Sequence, residues 1–167
     1  SVETVARQVR YDFFSRVMSE QDIPLLLTAH NADDNLETVL FHLVRGCGLA
    51  GLGGIAPARL LDIPGQTVVR PLLLCSKADI VAACHELSLP FVTDSTNEDT
   101  SYTRNFLRAR VLPALGEVIP HPEQQVARGS VTLREDEQCL GQLAGHLLTE
   151  ASAENCLLRT SLATAHP

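Results

Sequence analysis

Thr28 to Gly54 reads TAHNADDNLETVLFHLVRGCGLAGLGG, and its texture changes twice within that span. An apolar run, Leu25 to Leu27, leads into it and stops at Ala29-His30. A polar corner follows. Beyond the corner, Leu36, Val39, Leu40, Leu43 and Val44 recur at helical spacing and define one apolar face. Strand, corner and helix in this order are how an open α/β sheet presents a binding site at the carboxyl end of a strand. The expected fold class is α/β with a parallel sheet.

The corner is acidic. At about 100° per residue, Asp34, Thr38 and Arg45 share one helix face, with Glu37 beside it and the apolar stripe opposite. Carboxylates in a first helical turn gain about 0.3–1 kcal/mol each from the helix dipole when exposed. That is a purely structural account of Asp33 and Asp34, and it fits Glu37 less well because Glu37 stands a turn later. A second account has these acids and His30 gathered around a strand end to hold Mg²⁺ through oxygen ligands, alongside substrate phosphates. Spacing alone leaves both accounts open.

Composition narrows the class. A chain of 167 residues with 45% hydrophobic content is long enough for one globular domain, burying about 70% of its unfolded surface. No apolar run approaches the roughly 18 residues of a membrane span, and no signal-peptide pattern opens the sequence, so a cytoplasmic protein with no membrane partner is expected. Five cysteines without a CxxC read as reduced, mostly buried thiols rather than a disulfide framework or a zinc ribbon. The net charge of −7 does not announce a nucleic-acid grip, but twelve arginines against a single lysine, Lys77, leave room for a local phosphate-binding patch.

Outside the corner, residues 2–20 carry Val2, Val5, Ala6, Val9, Phe13 and Val17 at helical spacing, which predicts a core-facing helix, with Arg7, Arg10 and Arg16 off the stripe. Leu25 to Thr28 is expected to be a parallel strand covered on both faces. Gly46 and Gly48 should end the helix after Arg45. Thr67 to Leu74 is β-rich, with Pro71 confining the strand to an edge or an end. Ser76 is a helix N-cap with Asp79 as a capping-box partner. That helix runs to Leu87 and should bury Ile80, Val81, Ala83, Cys84 and Leu87. Phe91 to Thr93 reads as a strand ending at Asp94, followed by a turn and a helix from about residue 101 that places Arg104 and Arg108 on one face. Val126, Leu133, Leu140, Leu143 and Leu147 mark one long helix, and residues 150–167 show no period and are expected to fray.

Two separate segments resemble one family. His30-Asn31-Ala32-Asp33-Asp34-Asn35-Leu36-Glu37-Thr38 resembles the HHxxDxxET motif of the PP-loop ATP pyrophosphatases, with Asn31 where the second histidine would stand. Arg45-Gly46-Cys47-Gly48-Leu49-Ala50-Gly51-Leu52 resembles the RGxGxxGL segment of the tRNA(Ile)-lysidine synthetase branch. Asp94-Ser95-Thr96-Asn97 with Arg104-Asn105-x-x-Arg108 is similar to the D-x-T-N … R-N-x-x-R signature. Glu3 to Phe14 resembles the arginine-bearing helix before the acidic motif, and Val69 to Leu73 the RPLL strand end. The resemblance is colinear over roughly residues 2–147.

It implies a Rossmann-like, adenine-nucleotide α-hydrolase fold over residues 1–118, present in part, with a helical extension over 119–167. It also implies ATP and Mg²⁺, a tRNA(Ile) with a CAU anticodon and free lysine as substrates, and leaves a homodimer open. In that scheme Asp34, Glu37 and Arg104 are catalytic, with Asp34 and Glu37 facing Mg²⁺ or the lysine ammonium. His30, Arg10 and Arg108 contact the nucleotide, while Asp94, Asn105, Arg70 and Arg45 contact substrate. The family's SGGxDS phosphate loop is nowhere in the sequence, so an amino-terminal piece is expected in the parent enzyme and the chain alone is expected not to turn over ATP. Another PP-loop enzyme, such as a tRNA thiolase or an amide-forming ligase, and a non-catalytic binding module are the alternatives. The missing CxxC speaks against cluster-bearing thiolases.

Overall fold

A computed structural model describes residues 2–92, 106–153 and 156–157. A first helix, α1 (Val2–Glu20), precedes strand β1 (Leu25–Leu27) and the acidic helix α2 (Ala32–Val44). A short α3 (Leu49–Leu52), strands β2 (Ala58–Leu60) and β3 (Thr67–Val69), and α4 (Lys77–Glu86) follow. After a π-helical turn (Leu107–Val111) come α5 (Leu112–Val118), the long α6 (Pro122–Ala151), and the short strands β4 (Ser152–Ala153) and β5 (Cys156–Leu157).

The sheet is mixed, in the order β1-β3-β2. β1 and β3 are parallel with Leu27 opposite Val69, and β2 runs antiparallel to β3. β-branched Thr67, Val68 and Val69 suit the middle strand, and Val68 is fully buried there. Pro71 does not put this strand at an edge; β3 simply ends before it. The parallel β1–β3 pair continues as Thr28 N–H donates to the Val69 carbonyl at 3.0 Å, so the corner leaves the sheet at its carboxyl end.

Three strands of three residues cover little helix surface, and this overturns three burial expectations. The apolar stripe of α1 points outward: Val5, Val9 and Phe13 are 64%, 62% and 51% exposed. The side that packs is instead Tyr11, Phe14, Ser15 and buried Met18, where the Gln66 side-chain amide reaches Ser19 Oγ at 2.9 Å. In β1, Leu25 and Leu27 are exposed rather than covered on both faces. α4 begins at the expected cap, but Ile80, Val81 and Cys84 are only half-buried and Ala83 and Leu87 are exposed. Phe91 and Val92 form no strand among the described residues, and Thr93 lies outside them.

The better-packed region is where α2, α3 and α6 meet. Asn35 is fully buried; its amide nitrogen donates to Ser130 Oγ of α6 at 3.1 Å, and its carbonyl oxygen accepts the Ile55 N–H at 2.7 Å. Arg134 of α6 donates to the carbonyls of Gly53 and Ile55, and burial pulls its pKa below the usual arginine value. The glycine-rich segment after α2 is therefore a clamped loop. Beyond Glu135 the second half of α6 is exposed, including Leu140, Leu143 and Leu147. At its end β4 pairs antiparallel with β5, where fraying was expected.

Pro113 explains the π turn. In an α-helix its ring would clash with the carbonyl of Ala109, four residues back, and it has no N–H to donate. The chain widens instead, and Leu112 N–H bonds the Leu107 carbonyl five residues back.

Candidate functional site

The polar corner is built by α2's own cap. Asn31 is extended, at φ −123°, and its side-chain oxygen accepts the Asp34 N–H at 3.0 Å. Asp34 Oδ2 returns the bond by accepting the Asn31 N–H at 3.0 Å, completing a capping box. Asparagine at this position thus has a clear structural use where the family motif has histidine. The neighbouring His30 sits against Thr28, with Nδ1 and Oγ1 2.9 Å apart.

Asp33 does something else. Its Oδ2 accepts the backbone N–H of Lys77 at 2.6 Å, and Ala32 N–H bonds the Cys75 carbonyl at 2.9 Å. These two bonds bring the N-termini of α2 and α4 side by side. Ser76 caps α4 by accepting the Asp79 N–H at 3.0 Å, and its hydroxyl donates to Asp79 Oδ2 at 2.7 Å.

Glu37 is the buried acid of the group, its side chain only 5% exposed. Arg108, 71 residues further along and 36% exposed, grips it with a two-pronged fork. Nε donates to Oε1 at 2.6 Å and Nη2 to Oε2 at 3.0 Å. The same Nη2 lies 3.8 Å from Asp34 Oδ1. The hydrogen bond to Glu37 raises the Arg108 pKa above its usual value, burial works against it, and the charges of Glu37, Asp34 and Asp33 add to the rise. Stability from a raised cation pKa is fully present below the ordinary arginine value and is lost only as pH climbs past it. Across neutral pH this contribution is constant.

These residues line an open cleft of about 540 Å³ together with Asn31 and Lys77, floored by Leu112, Pro113 and Gly116. Of the residues singled out from the sequence, the structure brings Asp34, Glu37 and Arg108 together here. The others lie elsewhere. Arg10 is exposed on α1. Arg45 lies over the Phe41 ring at 4.9 Å, about 16 Å along α2 from Asp34 at 1.5 Å per residue. Arg70 is buried, with Nη1 donating to the Ala56 carbonyl at 2.7 Å and Nε without a partner. Asp94, Arg104 and Asn105 lie outside the described residues. Lys77 was not anticipated at the cleft, though its place just after the Ser76 cap was the available signal.

The arrangement does not fit Mg²⁺ as it stands. Both Glu37 oxygens bond Arg108, and Asp34 Oδ2 is committed to the helix cap. Among the described residues no three His, Cys, Asp or Glu side chains gather as a metal-binding group. Nor is any described helix long and apolar enough to cross a membrane.

Residues 1–115 match the PP-loop domain family. The chain is 40% identical over 154 residues to the bifunctional protein TilS/HprT of Listeria innocua, covering 92% of this chain and 24% of that protein. It is 39% identical over 151 residues to the tRNA(Ile)-lysidine synthase of Vibrio parahaemolyticus, covering 90% of this chain and 34% of the other. With the tRNA(Ile)-lysidine synthase of Pseudomonas syringae pv. tomato it shares 39% identity over 153 residues, 92% of this chain and 34% of that one. The chain spans between 24% and 34% of the length of these relatives. On a family match covering 115 of its 167 residues and on these identities, the chain belongs to the PP-loop domain family.

Proposed function

We propose that this chain carries the acidic half of an ATP-dependent tRNA-modifying site. In the whole protein that site ligates free lysine to C2 of cytidine 34 in a tRNA(Ile) with a CAU anticodon. In that reaction the cytidine O2 attacks the α-phosphorus of ATP and pyrophosphate leaves. The lysine amino group then attacks C2, loses a proton, and AMP departs with the O2 oxygen. ATP, tRNA and lysine are all substrates here, and no step is assigned to a metal.

The chain's own residues would position charge. Asp34 and Glu37 present negative charge to a cationic group, Arg108 and Lys77 present positive charge to phosphate, and Asp33 fixes the cleft width by joining α2 to α4. The observation that carries the reading is the meeting of two motif segments. Glu37 of the HNADDNLET stretch and Arg108 of the RN-x-x-R stretch are 71 residues apart in sequence and 2.6 Å apart in space. The names of the relatives point the same way.

The test is made on the whole protein that contains this chain, as pyrophosphate release with cytidine-34 tRNA and lysine. Glu37→Gln keeps volume and removes charge, and is expected to lower turnover on the order of ten-fold or more. Glu20→Gln, on the exposed end of α1, should leave it unchanged. Parent-like turnover by Glu37→Gln would return this acid to a purely structural role. In the same assay the chain alone should release pyrophosphate only at background, since its sequence contains no SGGxDS loop.

A further inference from the structure

Two carboxylates three residues apart at the start of a helix look like a ligand pair for a hard cation, and the geometry gives them a different occupant. We propose that Arg108 is the resident cation of the Asp34–Glu37 seat, excludes divalent metal from it, and yields only to another N–H-donating cation, an ammonium or guanidinium group. This rests on the acidic corner being the site, but its test reads cation binding rather than turnover, so the two readings fail separately.

Three features support it. First, the fork is complete: both Glu37 oxygens receive an N–H, and Nη2 also faces Asp34 Oδ1. An incoming ammonium, with three donors, or a guanidinium, with five, can replace those bonds one for one. Magnesium cannot, because it keeps several of its waters and demands near-octahedral oxygen ligands. A Glu37 side chain that is 5% exposed leaves no room for such a shell. Second, Lys77 lines the same cleft and adds positive field against a doubly charged ion. Asp33, the remaining acid of the corner, is occupied with the Lys77 N–H at 2.6 Å.

Third, Arg108 stands on the π-helical turn of Leu107–Val111, held open by Pro113. Such turns sit close in energy to the α form and shift register locally. Closing this one to α changes the bearing of Arg108 and withdraws the fork without unfolding α5. The seat therefore has a built-in way to exchange its occupant.

Mn²⁺ is the probe, with the free ion followed by electron paramagnetic resonance on the purified chain. The unaltered chain should bind it weakly, and Arg108→Gln should bind it on the order of ten-fold more tightly, since removing the cation leaves two carboxylates uncompensated. Pro113→Ala, which keeps every charge and lets the turn close, should give a smaller gain. It decides the matter if Arg108→Gln fails to fold. Adding Glu37→Gln to Arg108→Gln should abolish the gain, and low-millimolar guanidinium should displace Mn²⁺ from Arg108→Gln. Equal Mn²⁺ affinity in the unaltered chain and the single variants would overturn the proposal. So would a gain that survives Glu37→Gln, or one that guanidinium leaves untouched.

Discussion

Gly54→Ala is expected to destabilise the chain by about 2–4 kcal/mol, the range of a left-handed backbone penalty combined with a core clash. Gly54 has φ +65°, where a Cβ costs roughly 1–2 kcal/mol by itself. Its Cβ would also lie 2.3 Å from Asn35 Oδ1 and 2.9 Å from Val39 Cγ2. Asn35 cannot move aside cheaply, because Ser130 and the Ile55 N–H hold both ends of its amide. Gly46→Ala is the matched control. Gly46 has φ +74° as well, but nothing lies within 4 Å of its would-be Cβ, so it bears only the backbone term. Urea unfolding followed by circular dichroism separates the two. Equal losses would mean that the amide gives way and that the loop is not clamped.

Arg108→Ala is expected to cost about 1–3 kcal/mol, because it strands a buried carboxylate that had accepted two charged hydrogen bonds. The guanidinium is 36% exposed and water screens part of the pair, which places the loss in the lower half of that range. An ordinary surface arginine should do far less. Arg45→Ala, exposed over Phe41, should move stability by about 0.5 kcal/mol or less. Arg108→Lys should recover part of the loss, since it restores charge but not the planar fork. Thermal and urea unfolding of the three variants would check this, and an Arg108→Ala loss no larger than that of Arg45→Ala would make the fork an ordinary surface contact.

What was legible in the sequence was mostly local. Helix α2 starts and stops where its residues say it should. An Asn cap opens it, and Gly46 follows Arg45 in the left-handed region with its N–H on the Leu43 carbonyl. Ser76 caps α4 for the same reason, and Val126 to Leu147 does form one helix. Burial was less legible, because it depends on what an element packs against. Val5, Val9 and Phe13 have a proper helical period, yet the small sheet meets the other side of α1.

The site divides in the same way. The acids of the corner could be read from their spacing and from the family motif, but the role of each could not. Asp33 serves α4, Asp34 caps its own helix, and Glu37 faces Arg108, and those partners lie 44, 3 and 71 residues away. Pro113 was a visible signal for the π turn, being a proline just inside a predicted helix. Arg45 and Arg70 carried family resemblance, but the structure sets them against Phe41 and the Ala56 carbonyl, away from the cleft.

The central claim is that the acidic corner and the Arg108 turn form one energetic unit across the cleft. A double-mutant cycle on urea unfolding tests it directly, using the chain, Glu37→Gln, Arg108→Gln and the double variant. The structure predicts a coupling of about 1–3 kcal/mol, as for contacting charged groups in one hydrogen-bonded network. Additivity to within about 0.3–0.5 kcal/mol, as seen for distant and independent sites, would contradict it.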